Sequence, residues 1–130
     1  MRRCKPAANV FIERYIPHTV LLPYCDVVIT HGGFSSVMAC YNQGVPMVLM
    51  PLAGGDQHGN AHRGAALGVG RIIAPNQPTP ERIRDAGLEV LGNRRYHARA
   101  GQVRDEMQQL PGPEYAVALL EQLTARKTLD

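Results

Sequence analysis

The strongest constraint in this sequence is a pair of short apolar runs, each delivered into a glycine-rich turn and then into a helix-like segment. Val27-Val28-Ile29 runs into Thr30-His31-Gly32-Gly33, and Met47-Val48-Leu49-Met50 runs into Pro51-Leu52-Ala53-Gly54-Gly55. Runs this short and this apolar are what strands look like when a parallel sheet buries both their faces. Val10-Phe11-Ile12 and Ile72-Ile73 carry the same signature. The segments between them suit helices: Ser35 to Asn42, closed by Gly44, and Gln57 to Leu67, closed by Gly68 where a left-handed cap belongs. Strand, helix, strand, helix, strand is the βαβ order. The expected fold is therefore α/β, a Rossmann-like parallel sheet with flanking helices.

After Pro75 the pattern becomes helical only. Thr79-Pro80-Glu81 supplies an N-cap, a proline at the first helical position and an acid in the first turn. Ile83, Ala86, Gly87, Val90 and Leu91 then share one face. A second helix is expected from about Arg95 to Leu110, with Ala100, Val103, Met107 and Leu110 on its apolar side, until Pro111-Gly112-Pro113 breaks it. The last helix carries Ala116, Leu119, Leu120 and Leu123 at the same spacing and frays into a charged tail from Arg126. With 130 residues and 45% hydrophobic content, the chain is the size of one domain. It divides into a βαβ core over 9–75 and C-terminal helices over 79–127.

Charge and cysteine usage narrow the partners. Lys and Arg outnumber Asp and Glu by only 14 to 11, without a basic block, which argues against nucleic acid. Cys4, Cys25 and Cys40 are odd in number and lack a CxxC pair, which fits a reducing compartment and no disulfide framework. Met1 to Pro6 are basic but lead into no signal-peptide apolar run. The longest apolar stretch, Val45 to Ala53, contains two prolines and falls well short of the roughly 20 residues that span a bilayer. A soluble, cytoplasmic chain without a membrane partner is expected.

Two constellations carry chemistry. His31-Gly32-Gly33-Phe34-Ser35-Ser36 stands where a buried strand ends and a helix begins, and open α/β sheets bind ligands outside the carboxyl ends of their strands. A helix N-terminus there offers free backbone N–H groups and about half a positive charge, and the glycines let an anion approach. The same residues also fit a plain tight turn with Ser35 or Ser36 as the cap and His31 as a polar strand end. The second is Asp56-Gln57 after Gly54-Gly55: a carboxylate and an amide suited to neighbouring sugar hydroxyls, or simply an N-cap at Asp56. His58 and His62 share a helical face, but no glutamate makes an HExxH and no third ligand stands nearby, so no metal is expected. Tyr15-Ile16-Pro17-His18 can bring an aromatic ring and a polar group to the same sheet edge.

Together these pieces resemble the C-terminal donor-binding domain of family-one glycosyltransferases of the GT-B fold. That family's pattern runs W-x-P-Q, H-x-G-x-x-S/T, G-V-P, P and D/E-Q-x-x-N. Here it appears as Tyr15 to His18, His31 to Ser36, Gly44-Val45-Pro46, Pro51 and Asp56 to Asn60, in matching order across about residues 9 to 75. The resemblance implies a partial domain that binds a nucleotide sugar, UDP- or dTDP-linked, as co-substrate with no other cofactor. It implies Tyr15, Ile16 and His18 at the nucleobase and ribose, and His31, Gly32, Gly33, Ser35 and Ser36 at the diphosphate. Asp56 and Gln57 would hold the sugar. It further implies inverting, metal-independent hexosyl transfer to a small hydroxylated acceptor. The catalytic base would belong to an N-terminal acceptor domain outside this chain, which an acceptor-domain protein could supply, while a homo-oligomer could cover the exposed sheet edge; a non-catalytic donor-binding subunit is the alternative. The sequence departs from the pattern at Tyr15 (Trp in the family), at His18 (Gln) and at Ala39, where many uridine-nucleotide users carry a ribose-binding Glu.

Overall fold

The computed structural model describes residues 7–52, 54–76 and 78–127. A parallel sheet of three strands forms at its centre: β1 (Val28–Thr30), β2 (Met47–Leu49) and β3 (Gly70–Ile72), in that order. Val28 pairs with Met47 and Met47 with Gly70, so the three strands run in step. α1 (His18–Leu21) and a 3-10 turn at Leu22–Tyr24 precede β1, while α2 (Phe34–Gln43) and α3 (Gly55–Ala66) form the two crossovers. α4 (Pro80–Gly92), α5 (Arg94–Gln108) and α6 (Pro113–Lys127) complete the chain.

The uninterrupted apolar run of β2 places it in the middle of the sheet, where Met47, Val48 and Leu49 are all fully buried. Successive strand side chains point to opposite faces, and the core divides accordingly. Met47 and Leu49 join Val37, Cys40 and Tyr41 of α2, Ala61 of α3 and Val103 of α5. Val48 joins Ile73 with Ala86 and Val90 of α4 on the other side. Gly44 and Gly68 take the left-handed φ values of 69° and 73° expected where α2 and α3 close. Thr79 caps α4 by accepting from the Arg82 amide at 3.3 Å, and Asn93 caps α5 by accepting from the Arg95 amide at 3.1 Å.

Two expectations are corrected. Val10-Phe11-Ile12 is not a strand: the segment has no ladder partner, and Phe11 and Ile12 are 86% and 72% exposed. An extended run becomes a strand only beside a neighbour that takes its N–H and C=O groups, and no strand of the described residues offers it one. The apolar stripe of α6, which follows the Pro111-Gly112-Pro113 break, stays outside the core, with Leu120 and Leu123 63% and 61% exposed. The strand limits move slightly: β1 runs one residue later than Val27–Ile29, and β3 begins two residues before Ile72. Cys4 and the basic start of the chain lie outside the described residues.

Candidate functional site

β1 and β2 lie side by side, and a helix starts just past the carboxyl end of each. The N-cap of α2 is Gly33 and that of α3 is Gly54, and neither cap makes a side-chain hydrogen bond. This corrects the readings that make Ser35 or Ser36 the cap of α2 and Asp56 the cap of α3; those residues occupy the first helical turns instead. A glycine cap has no side-chain acceptor, so neither helix start is closed by its own cap residue, and both lie at the positive end of a helix dipole.

The two turns are locked together. Gly32 sits at φ 84°, a region glycine enters without penalty, and a β-carbon there would stand 3.1 Å from the Gln57 carbonyl oxygen. The Gly32 amide donates to Thr30 Oγ1 at 3.3 Å, and its carbonyl accepts from Asn60 Nδ2 at 2.9 Å. Asn60 Nδ2 also reaches Asp56 Oδ2 at 3.4 Å. Asn60 therefore ties the first turns of α3 to the turn that begins α2. The motif pattern gives Asn60 no role of its own; its i, i+4 spacing from Asp56 is the signal that could have found it.

Each expected site residue has a definite place. The exposed His31 ring lies across Gly33, where a β-carbon would fall 2.6 Å from His31 Nε2. Gln57 Oε1 accepts from the Leu52 amide at 3.1 Å and so fixes the turn after β2, while Asp56 is exposed in the first turn of α3. His18, the first residue of α1, lines a cavity of about 170 Å³ together with Thr30 and Ser36. Ser35 lines a neighbouring groove of about 330 Å³ with Thr19 and Ala39. Tyr15 and Ile16 precede α1 on an exposed stretch and are 81% and 38% exposed. The structure thus gathers His31, Gly32 and Gly33 against Gln57 and sets His18 beside Ser36, while the Tyr15 ring stands in solvent.

Cys25 and Cys40 are free thiols that share the wall of the His18 cavity. Burial, with a smaller contribution from Cys25, pushes the Cys40 thiol up to about 12, so it is a neutral apolar group at ordinary pH. His58 and His62 are both exposed on α3. Among the described residues no group of three or more His, Cys, Asp or Glu side chains is placed to hold a metal ion, and no helix is long and apolar enough to cross a membrane.

Residues 5–123 match the family described as Erythromycin biosynthesis protein CIII-like, C-terminal domain. The chain belongs to this EryCIII-like family. It is 35% identical over 116 residues to 4'-demethylrebeccamycin synthase of Lentzea aerocolonigenes, covering 89% of this chain and 27% of that protein. It is 32% identical to 3-alpha-mycarosylerythronolide B desosaminyl transferase of Saccharopolyspora erythraea, covering 90% and 28%. The EryCIII-like chain therefore spans about a quarter of the length of these relatives. Among solved structures, the glycosyltransferase VinC in complex with dTDP superposes with a TM-score of 0.89 at 27% identity, covering 94% of this chain and 31% of VinC. The three parallel strands and their helices are thus part of the C-terminal domain of a GT-B glycosyltransferase fold.

Proposed function

We propose that this chain is the donor-binding portion of an inverting, metal-independent glycosyltransferase of natural-product biosynthesis. The observation that carries the reading is the pair of glycine-capped helix N-termini, held side by side by Asn60 and crossed by the His31 ring. Two such termini present amide donors and a local positive potential to one anion. In this reading His31, Gly32, Gly33, Ser35 and Ser36 hold the diphosphate of a nucleotide sugar. Tyr15, Ile16 and His18 hold the nucleobase and ribose, and Asp56 and Gln57 hold the sugar hydroxyls. Residues 9–75 form this donor-binding core, and of the C-terminal helices over 79–127 α4 and α5 buttress it. As the glycosidic bond breaks, negative charge builds on the departing diphosphate, and the α2 amides and His31 stabilise it. A base outside this chain takes the proton of a small hydroxylated acceptor, and a hexose is transferred with inversion.

Ala39 supports dTDP over UDP as the carrier. Its methyl group lines the groove beside Ser35 and has no carboxylate with which to hold a ribose 2'-hydroxyl; the dTDP complex of VinC is in keeping with this choice. The setting is a cytoplasmic enzyme whose cleft is completed by an acceptor domain, with self-association as a means of covering the exposed sheet edge.

The test is thermal denaturation of the purified chain with dTDP, UDP or phosphate alone. A ligand bound only to the native state raises Tm, by about 2.7 kcal/mol of stability at a hundred times its Kd. The expected order is dTDP above UDP, with the rise lost in His31→Ala and kept in His58→Ala. Equal shifts from phosphate and both nucleotides, or an undiminished shift in His31→Ala, would refute the site. Slow hydrolysis of a dTDP-sugar by the lone chain separates a catalytic fragment from a donor-binding subunit that contributes no turnover.

A further inference from the structure

Asp56 and Gln57 each hold one of their two terminal polar atoms against the protein. Asp56 Oδ2 accepts from Asn60 Nδ2 at 3.4 Å, and Gln57 Oε1 accepts from the Leu52 amide at 3.1 Å. A planar group fixed at one atom has the direction of its other atom set as well. Those other atoms, Asp56 Oδ1 and Gln57 Nε2, converge on Gly54, where an added β-carbon would stand 3.4 Å from Nε2 and 4.0 Å from Oδ1. Gly54 has φ 108° and ψ 138°, a conformation that glycine enters without penalty and L side chains rarely adopt. The backbone thus reserves for glycine the position whose side chain would fill the space between the two groups. Gly55 is the contrast: it has no positive φ, and an added β-carbon meets nothing within 4 Å.

Asn60 decides where the carboxylate stands. Its amide nitrogen has two hydrogens to give. The bond to the Gly32 carbonyl, at 2.9 Å, is the shorter and anchors the group, and the same nitrogen reaches Asp56. Asn60 is half-buried while Asp56 is exposed, so the carboxylate takes its direction from Asn60 rather than from packing. A hydroxyl both donates and accepts, which suits a space faced by a carboxylate oxygen and an amide nitrogen.

We propose that Gly54 and Asn60 set the sugar specificity of this site. Gly54 leaves open the space between Asp56 Oδ1 and Gln57 Nε2, and Asn60 is a positioning residue that holds the Asp56 carboxylate against it. The inference rests on the donor-binding reading above and deepens it: a sugar hydroxyl enters over Gly54, and a side chain at that position excludes it. The quantity to measure is the affinity of the purified chain for dTDP-glucose divided by its affinity for dTDP. That ratio isolates the sugar, and dTDP binding itself shows that each variant is folded. Gly54→Ala should lower the ratio about tenfold, as expected for one hydrogen bond to a charged group, and Gly55→Ala should leave it unchanged. Asn60→Ala should lower it too, but not in a chain already carrying Asp56→Ala, because Asn60 acts on the sugar only through that carboxylate. A merely structural Asn60 would weaken dTDP and dTDP-glucose alike in both backgrounds. If Gly54→Ala no longer binds dTDP, the Asn60 and Asp56 double-mutant cycle decides. An unchanged ratio in a dTDP-binding Gly54→Ala chain, or an Asn60→Ala effect that is the same with and without Asp56, overturns the inference and leaves the donor site standing. A parent chain that binds neither dTDP nor dTDP-glucose overturns both.

Discussion

Gly32 and Gly59 stand in neighbouring segments of the same site, and the geometry gives them opposite responses to alanine. At Gly32 the backbone holds φ 84°, and an added β-carbon would meet the Gln57 carbonyl oxygen at 3.1 Å. An L-residue in that region costs roughly 1–2 kcal/mol, and the contact pushes against main chain that cannot rotate away, so about 2 kcal/mol is expected in all. Gly59 lies inside α3, is exposed, and an added β-carbon meets nothing within 4 Å. There alanine relieves the entropy that glycine loses in a helix, a gain of about 0.5–1 kcal/mol. For a chain of this length, 1 kcal/mol corresponds to about 4 °C in Tm. Gly32→Ala should therefore melt about 8 °C below the parent and Gly59→Ala about 3 °C above it. Urea denaturation followed by circular dichroism should show the same order, with the slope unchanged. A Gly32→Ala chain within about 0.5 kcal/mol of the parent, the scatter of neutral surface changes, would show that the turn does not need its left-handed residue. It would remove the basis for treating the two helix starts as one locked unit.

The other predictions concern the core and the buried thiol. Leu49, fully buried at the sheet centre, should cost about 2–5 kcal/mol when replaced by alanine; Leu120, 63% exposed on α6, should change stability by less than about 0.5 kcal/mol. If the two substitutions cost the same by urea denaturation, the division of the core is wrong. Cys40 holds its proton in the folded state up to about 12, above the ordinary thiol value of 9.0. Its contribution to stability is therefore complete below pH 9 and lost as pH rises from 9 towards 12, at roughly 1.4 kcal/mol per pH unit. Urea midpoints measured across that window should fall more steeply for the parent than for Cys40→Ala, and parallel profiles would contradict this.

What the sequence reveals follows the range of the interactions involved. The glycines that close α2 and α3 and the threonine that caps α4 act within a few residues, and local pattern finds them at Gly44, Gly68 and Thr79. Val48 is legible as a strand centre because burial on both faces demands an uninterrupted apolar run. Val10-Phe11-Ile12 has the same composition, yet a strand also requires a neighbour, and that requirement is nonlocal. The site divides in the same way. His31, Asp56 and Gln57 are visible as residue types after a strand, whereas the Asn60 to Gly32 bond spans 28 positions and exists only once the sheet sets β1 beside β2. The serines and Asp56 looked like caps because cap preference is strong in those residue types. Glycine takes the cap position at both helices instead, so no cap side chain closes either helix start.

From Tyr15 to His62 the chain contains no lysine or arginine, although every residue proposed to hold the nucleotide sugar lies in that stretch. On the proposed reading, anion recognition falls to fixed amide dipoles and the His31 ring. Such groups differ from a mobile ammonium or guanidinium in one decisive respect: their orientation is set before the ligand arrives, but their energy depends on water being kept away. Here water is not kept away, since His31 and Ser35 are exposed and Phe34, at the first turn of α2, is 63% exposed. On the proposed reading the donors are positioned by this chain while their desolvation is left to another surface. A surface closing over β1 and the start of α2 would strengthen binding without adding a single charged contact. The proposed reading therefore predicts that the specificity of the donor site resides in this chain and much of its affinity in whatever covers it.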